Sequence, residues 1–314
     1  MKKVLVSGAG GFIGSNMVKF LLDNSDYKII GVDNFNSGDS NKDFISNLEN
    51  KHTDRFIFIK DDYVNIDLTD VDTVYHFAAI PRVFYSVEYP IETNDGNVTN
   101  TLKFLQNCKN SGVKRFVFSS SSSVYGDVNT FPTTEMEKKS PKSPYALQKS
   151  IMEDYCRLWS ELYELDTVCL RYFNVYGPNQ YAENAYATVI CAWIKGYINN
   201  NDIRLDGDGS QSRDFTYVSD ICKANFIVGD YDGKFNGKCF NAAGGNNYSL
   251  KNVKEIIESK SKNKPNVISK PSRVGDVLKT HSDSSALCEL GFNCEVDLEE
   301  GIENTYNWYY KLLK

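Results

Sequence analysis

The stretch Val4-Leu5-Val6-Ser7-Gly8-Ala9-Gly10-Gly11-Phe12-Ile13-Gly14 decides the fold. Its apolar run is too short for the core of a signal peptide and reads as a first strand over residues 3–7. The glycines then stop that strand and open a helix predicted over residues 12–22. Gly8 permits a tight turn, Gly11 lets backbone amides approach a pyrophosphate at the helix N-terminus, and Gly14 allows close helix packing. This is the pattern of a dinucleotide cradle, although glycine spacing alone also occurs in turns that bind nothing.

Working outward, Asp33 ends the next predicted strand, nineteen residues after Gly14. A carboxylate there accepts hydrogen bonds from the adenine ribose hydroxyls. It also repels a 2′-phosphate, and no Arg or Lys stands between Asp33 and Asn41 to hold one. The expected cofactor is therefore NAD rather than NADP. Asp62, after the third strand, has two readings: an acceptor for the adenine amine, or a solvated loop acid.

Short β-branched or aromatic runs recur at 28–32, 56–60, 73–77, 115–119 and 167–171, separated by longer helical patterns. Strands that alternate with helices imply a parallel sheet. Continuous apolar character, as in Phe116-Val117-Phe118, implies that helices cover both of its faces. The predicted fold is α/β, a Rossmann-type doubly wound parallel sheet with a smaller C-terminal substrate-binding lobe. We expect an NAD-binding domain over residues 1–171, with a returning segment near 214–243, and a substrate lobe in the remainder of 172–314. That lobe has predicted helices at 185–195, 250–259 and 298–313.

Composition narrows the function classes. The chain has 314 residues, 41% of them apolar, and a formal net charge of −6. No basic stripe is present to displace counterions from a nucleic acid, and no run of about 18 apolar residues points to a transmembrane helix. A cytoplasmic protein without nucleic-acid or membrane partners is expected. The eight cysteines are scattered singly and the three histidines form no ligand set, so buried reduced thiols and no metal site are predicted.

Ser143-Pro144-Tyr145-Ala146-Leu147-Gln148-Lys149 opens a long helix predicted to reach residue 165, with Ser143 as N-cap and Pro144 at the first helical position. Tyr145 and Lys149 then share a helix face. A phenol is a weak base at neutral pH, but an adjacent ammonium stabilises its phenolate, so the tyrosine pKa is expected to fall. The serine run 119–123 sits at the carboxyl end of a predicted core strand, where a hydroxyl reaches the same substrate oxygen. A solvated serine turn is the competing reading.

Together these residues resemble the extended short-chain dehydrogenase/reductase family. The resemblance rests on the glycine turn, Asp33, Tyr75-His76-Phe77-Ala78-Ala79, Ser119 to Gly126, and Tyr145 to Lys149. Arg171-Tyr172-Phe173-Asn174-Val175-Tyr176-Gly177-Pro178, Gly207-Asp208-Gly209, Arg213-Asp214-Phe215 and Arg273-Val274-Gly275-Asp276 resemble its nucleotide-sugar branch, with UDP-N-acetylglucosamine and UDP-glucose 4-epimerases the nearest likeness. The resemblance implies Ser121, Tyr145 and Lys149 as catalytic groups. It implies cofactor contacts at Gly8, Gly11, Phe12, Ile13, Gly14, Asp33, Asn34, Ser37, Gly38, Asp62, Tyr63, Phe77, Ala78, Ala79, Asn97, Tyr145, Lys149 and Phe173. Substrate contacts are implied at Ser86, Ser121, Ser122, Tyr145, Asn174, Arg213, Arg273 and Thr280.

In that family the 4,6-dehydratases carry an Asp-Glu pair just after the catalytic hydroxyl, and the decarboxylases a Glu two residues after it. Here those positions are Ser122 and Ser123. The resemblance therefore implies oxidation and reduction only, which is the epimerase pattern: hydride leaves the sugar C4 for NAD, the 4-keto sugar turns, and hydride returns to its other face. Arg213 and Arg273 would anchor the diphosphate during that turn. Thr280, seven residues after Arg273, is small where an N-acetyl group must fit, which favours UDP-N-acetylglucosamine and UDP-N-acetylgalactosamine as the interconverting pair, with plain UDP-glucose and UDP-galactose as further substrates. A UDP-glucuronate 4-epimerase, another NAD-dependent nucleotide-sugar oxidoreductase and a non-catalytic NAD-binding relative are the alternatives. Helices over 92–110 and 145–165 resemble a four-helix dimer interface, so a homodimer is expected.

Overall fold

The computed structural model describes residues 1–36, 41–181, 188–271 and 278–314. Its centre is a seven-stranded sheet made of β1 (Lys3–Ser7), β2 (Lys28–Val32), β3 (Phe56–Ile59), β4 (Thr73–His76), β5 (Arg115–Ser121), β6 (Asp166–Tyr172) and β7 (Lys238–Ala242). All neighbours are parallel, in the order β3-β2-β1-β4-β5-β6-β7. The order reverses between β1 and β4, so a crevice opens above their carboxyl ends, where ligands bind in such sheets.

Side chains alternate between the two faces along each strand. Val4 and Val6, with Tyr75, Val117 and Val168, join a layer containing α1 (Phe12–Asn24) and a later helix, Val218–Asp230. Leu5, Val74, Phe116, Phe118 and Cys169 enter the opposite layer, against the helices Asn100–Asn110 and Pro144–Tyr163. The chain thus returns to the sheet with Val218–Asp230 and β7, and Leu287 and Phe292 enter the same layer from further on. A separate core gathers the helices Val189–Asn199, Leu250–Lys260 and Leu298–Leu313 around Trp193, Ile194, Tyr197, Val253 and Ile302.

Several predicted boundaries shift for identifiable reasons. Strand β5 runs on to Ser121 and β6 spans Asp166–Tyr172, because their polar ends pair within the sheet. Of the helix expected at 185–195, residues 185–187 lie outside the described residues; the described helix is Val189–Asn199. Gly196 does not end it but admits Ile203 against its backbone, and the chain leaves the helix only at Asn200, in the left-handed region at φ 55°. The expected helix 92–110 is broken: Pro90–Asn94 and Asn100–Asn110 flank a wider π-type turn at Asp95–Thr99. The eight cysteines are free thiols, five of them buried.

One buried ion pair ties the helix Pro144–Tyr163 to the sheet. Glu153, 2% exposed, lies on the helix Pro144–Tyr163 and accepts from Arg171 Nε and Nη2 of β6, both at 2.8 Å. The same carboxylate accepts from Ser120 Oγ of β5 at 2.6 Å, and Arg171 Nη1 donates to the Tyr125 hydroxyl at 2.9 Å. Tyr125 in turn donates to Asn241 Oδ1 of β7 at 2.6 Å. Removing one partner strands a buried charge, so Glu153→Ala is expected to lower unfolding free energy by about 3–5 kcal/mol in urea titrations. A Glu153→Met/Arg171→Met double variant should recover much of that loss, because it leaves no unpaired ion.

Candidate active site

The cradle is built by contacts that exclude side chains. Gly8 has φ +72°, and a Cβ there would sit 2.6 Å from the Ala78 backbone nitrogen, so the turn after β1 backs directly onto the loop Phe77–Ala79 after β4. At Gly14 a Cβ would collide with the Gly8 carbonyl. Gly11 is the N-cap of α1, with no side-chain cap, and no acid occupies the first turn. The first amides of the helix and the positive end of its dipole, at Phe12 and Ile13, therefore face an anion site without a competing carboxylate. These features fit a dinucleotide.

Asp33 stands at the end of β2 and accepts from Gly10 N–H at 2.9 Å and Phe35 N–H at 2.7 Å. Burial raises its pKa, opposed by these backbone bonds. Each oxygen keeps acceptor capacity for a hydroxyl. Asp62 accepts from Val64 N–H at 3.2 Å and from Asn34 Nδ2 at 3.4 Å, so the two acidic loops meet on one rim. Ser37 and Gly38 lie outside the described residues. At the reversal between β1 and β4, Ser7 Oγ bonds His76 Nδ1 at 2.7 Å, and burial, then the Lys149 charge, drives His76 down to about 3. His76 is thus a neutral strut.

Some expected cofactor side chains point inward instead. Tyr63 packs against His76 and Phe104 and donates to the Gly96 carbonyl. Phe173 is 2% exposed, in a cluster with Val124, Tyr125 and Ala243. Asn97, in the π-type turn, accepts from Ile80 N–H at 2.7 Å and donates to Ile80 O and to Gln148 Oε1. Its side chain holds the loop after β4 against the catalytic helix.

On that helix Ser143 caps the first turn, accepting from Ala146 N–H at 3.2 Å. Tyr145, Gln148, Lys149 and Glu153 share its buried face. Lys149 donates from Nζ to the Ser119 carbonyl at 2.7 Å, and burial lowers its pKa to about 8. Its ammonium lies 5.8 Å from the Tyr145 ring centroid. The expected fall in the tyrosine pKa does not appear in this state: burial pushes Tyr145 up to about 12, and the opposing contribution comes from Ser121 rather than Lys149. Burial of the phenol is the largest contribution.

Ser121 ends β5 and caps the turn Ser122–Tyr125. Its Oγ accepts from Ser123 N–H at 3.2 Å and from the Ser123 hydroxyl at 2.9 Å. Ser86, expected to touch substrate, is fully buried; its hydroxyl donates to Val83 O at 2.6 Å and accepts from Tyr145 N–H at 3.0 Å. The structure makes it a support for Tyr145.

Across the crevice, Asn174 Nδ2 donates to Asp214 O at 3.0 Å and to Thr280 Oγ1 at 3.1 Å, and Thr280 Oγ1 accepts also from Asp214 N–H at 3.0 Å. Residues more than a hundred positions apart meet here, next to Arg213, which donates to Ser212 O at 2.9 Å. Arg273 lies outside the described residues. Sequence reasoning missed Gln148, Glu153 and Asp214. The available signal was helical spacing: polar residues three, four and eight positions from Tyr145 fall on its own face.

The fold and the glycine cradle define the class of dinucleotide-binding α/β proteins. The chain belongs to the NAD dependent epimerase/dehydratase family, which matches residues 4–243. It is 37% identical to the UDP-N-acetylglucosamine 4-epimerase of Methanobrevibacter ruminantium solved with UDP-N-acetylmuramic acid, with a TM-score of 0.90 over 99% of each chain. It is 31% identical, again at 0.90 over 99% of each chain, to the UDP-glucuronic acid 4-epimerase of Bacillus cereus solved with UDP-glucuronic acid and NAD. A UDP-glucose 4-epimerase of Mycolicibacterium smegmatis is 32% identical over 98% of both chains. The protein is an NAD-dependent enzyme of the epimerase class. Among the described residues no helix is long and apolar enough to cross a membrane.

Asp214 generates a pH prediction. Burial raises its carboxyl from 3.8 to about 7, although Ser282 N–H donates to it at 2.9 Å. Between those values the folded protein keeps a proton that the unfolded chain has released, so stability falls as pH rises through the window. Thermal melts from about pH 5 to pH 8 should show a falling Tm, and Asp214→Asn should flatten that fall.

Proposed function

We propose that this protein is a UDP-sugar 4-epimerase that interconverts UDP-N-acetylglucosamine and UDP-N-acetylgalactosamine and also accepts UDP-glucose and UDP-galactose. The observation that carries the reading is Ser121 at the end of β5 together with Tyr145 and Lys149 on the buried face of the helix Pro144–Tyr163, with Ser122 and Ser123 where dehydration or decarboxylation would need a carboxylate. Tyr145 takes the proton of the sugar 4-hydroxyl, and Ser121 donates a hydrogen bond to the same oxygen. Lys149, buried beneath the phenol, supplies positive charge and a contact for the nicotinamide ribose.

The glycine turn, Asp33 and the loop after β4 would hold NAD, which supplies reversible hydride storage and a fixed positive charge that lowers the phenol pKa. Arg213 and Arg273 grip the diphosphate, so the 4-keto sugar can turn without leaving. Thr280, small and already tied to Asn174, leaves room for an acetamido group. A homodimer through the catalytic helix and its neighbour Asn100–Asn110 completes the proposal.

UDP-glucuronate is the second reading, favoured by the likeness to the Bacillus cereus enzyme. Incubation with a panel of UDP-sugars and identification of products by NMR tests both. The expected outcome is a 4-epimer without net change in NADH absorbance, and steady cofactor consumption would overturn it. Tyr145→Phe should reduce turnover by about 10²–10⁴-fold while the fold is kept, since it deletes the proton acceptor and little volume.

A further inference from the structure

We propose that Ser123 is a positioning residue that forces the single Ser121 proton to be donated, to the Tyr145 phenol in the sugar-free site and to the reacting sugar oxygen once substrate is bound. A serine oxygen has two acceptor lone pairs and one proton to donate. Both acceptor directions of Ser121 are filled by the same residue: Ser123 N–H at 3.2 Å and Ser123 Oγ–H at 2.9 Å. The only capacity left on Ser121 is its own proton. That proton cannot point back into the turn, so any bond between Ser121 and the Tyr145 phenol is one that Ser121 donates.

Direction matters for chemistry. A hydroxyl that accepts from Tyr145 would stabilise the neutral phenol and oppose its use as a base. One that donates stabilises the phenolate and the developing oxyanion on the sugar. A bond donated by Ser121 to the phenol would complete a one-way chain, Ser123 to Ser121 to Tyr145, in which each donated bond polarises the next. The opposing effect of Ser121 on the Tyr145 pKa is in the direction that this chain requires. Ser123 touches neither the phenol nor the position of the sugar oxygen through any bond of its own in the structure. It acts through Ser121. This role rests on the epimerase reading for its kinetic consequence, while the ionisation of Tyr145 can be followed without any sugar.

The test titrates Tyr145 by NMR in NAD-loaded protein containing isotope-labelled tyrosine, with its signal assigned by loss in Tyr145→Phe. Wild type is compared with Ser123→Ala, Ser123→Cys and Ser123→Thr. The alanine variant removes the second donor, and the near-isosteric cysteine keeps the volume but donates weakly. In both, the Tyr145 titration should move up by about one pH unit, equal to about tenfold less phenolate near neutrality. On whichever UDP-sugar the wild type turns over, kcat should fall by a similar factor, KM should hold, and the acid limb of the pH profile should move by the same shift. Ser123→Thr should restore both readouts. An unshifted Tyr145 titration in the alanine and cysteine variants overturns the inference, as does a shift that threonine fails to reverse. A wild type that turns over no UDP-sugar would sink the functional reading alone, since the titration still decides the role of Ser123.

Discussion

The ion pair between Glu153 and Arg171 is the constraint on which the catalytic side of the molecule depends. A carboxylate and a guanidinium taken out of water cost more than a single contact returns, so the pair persists only where every remaining donor and acceptor is matched. Ser120, Tyr125 and Asn241 supply those matches. The consequence is geometric: the catalytic helix, the end of β5, and strands β6 and β7 cannot slide relative to one another without opening a bond in a low-dielectric interior. Ser121 and Tyr145 belong to two of those elements. Their mutual placement is thus tied to a network centred on Glu153, about two helical turns along from Tyr145.

A second layer of fixing acts through small side chains and hydroxyls. Gly8 brings two strand-end loops into backbone contact, and Asn97 fastens the second of these loops to Gln148 on the catalytic helix. Ser86 takes the amide of Tyr145. Each device is short and fully engaged, so little conformational freedom remains to be lost when a cofactor and a substrate arrive, which is the physical content of preorganisation. The neutral His76, wedged between Ser7 and Thr101, plays the same part at the point where the strand order reverses.

Much of this was legible in the linear chain because it is governed by local periodicity. The strand starts at Lys3, Lys28, Phe56 and Thr73 were readable, since fully buried parallel strands are short apolar runs with turn residues at their ends. The cap at Ser143 and Pro144 was readable for a stereochemical reason of the same kind. Boundaries failed where a side chain far away changed the local preference. Asn97, inside the π-type turn at Asp95–Thr99, bonds the Ile80 backbone, and Ile203 packs where a Cβ on Gly196 would stand. Nothing near either residue in sequence announces these contacts.

The sequence by itself determined the sheet class, the dinucleotide cradle and the preference for NAD, and it singled out Ser121, Tyr145 and Lys149 as candidate groups, because each follows from residue type at a fixed local spacing. Only the tertiary structure decided how those groups are used. It turned Lys149 onto the Ser119 carbonyl, raised rather than lowered the Tyr145 pKa, withdrew Ser86 from the substrate side, and joined Asn174, Asp214 and Thr280 across the crevice. Burial and hydrogen-bond direction depend on neighbours brought together by folding, and a linear pattern carries no information on which lone pair a distant donor will fill.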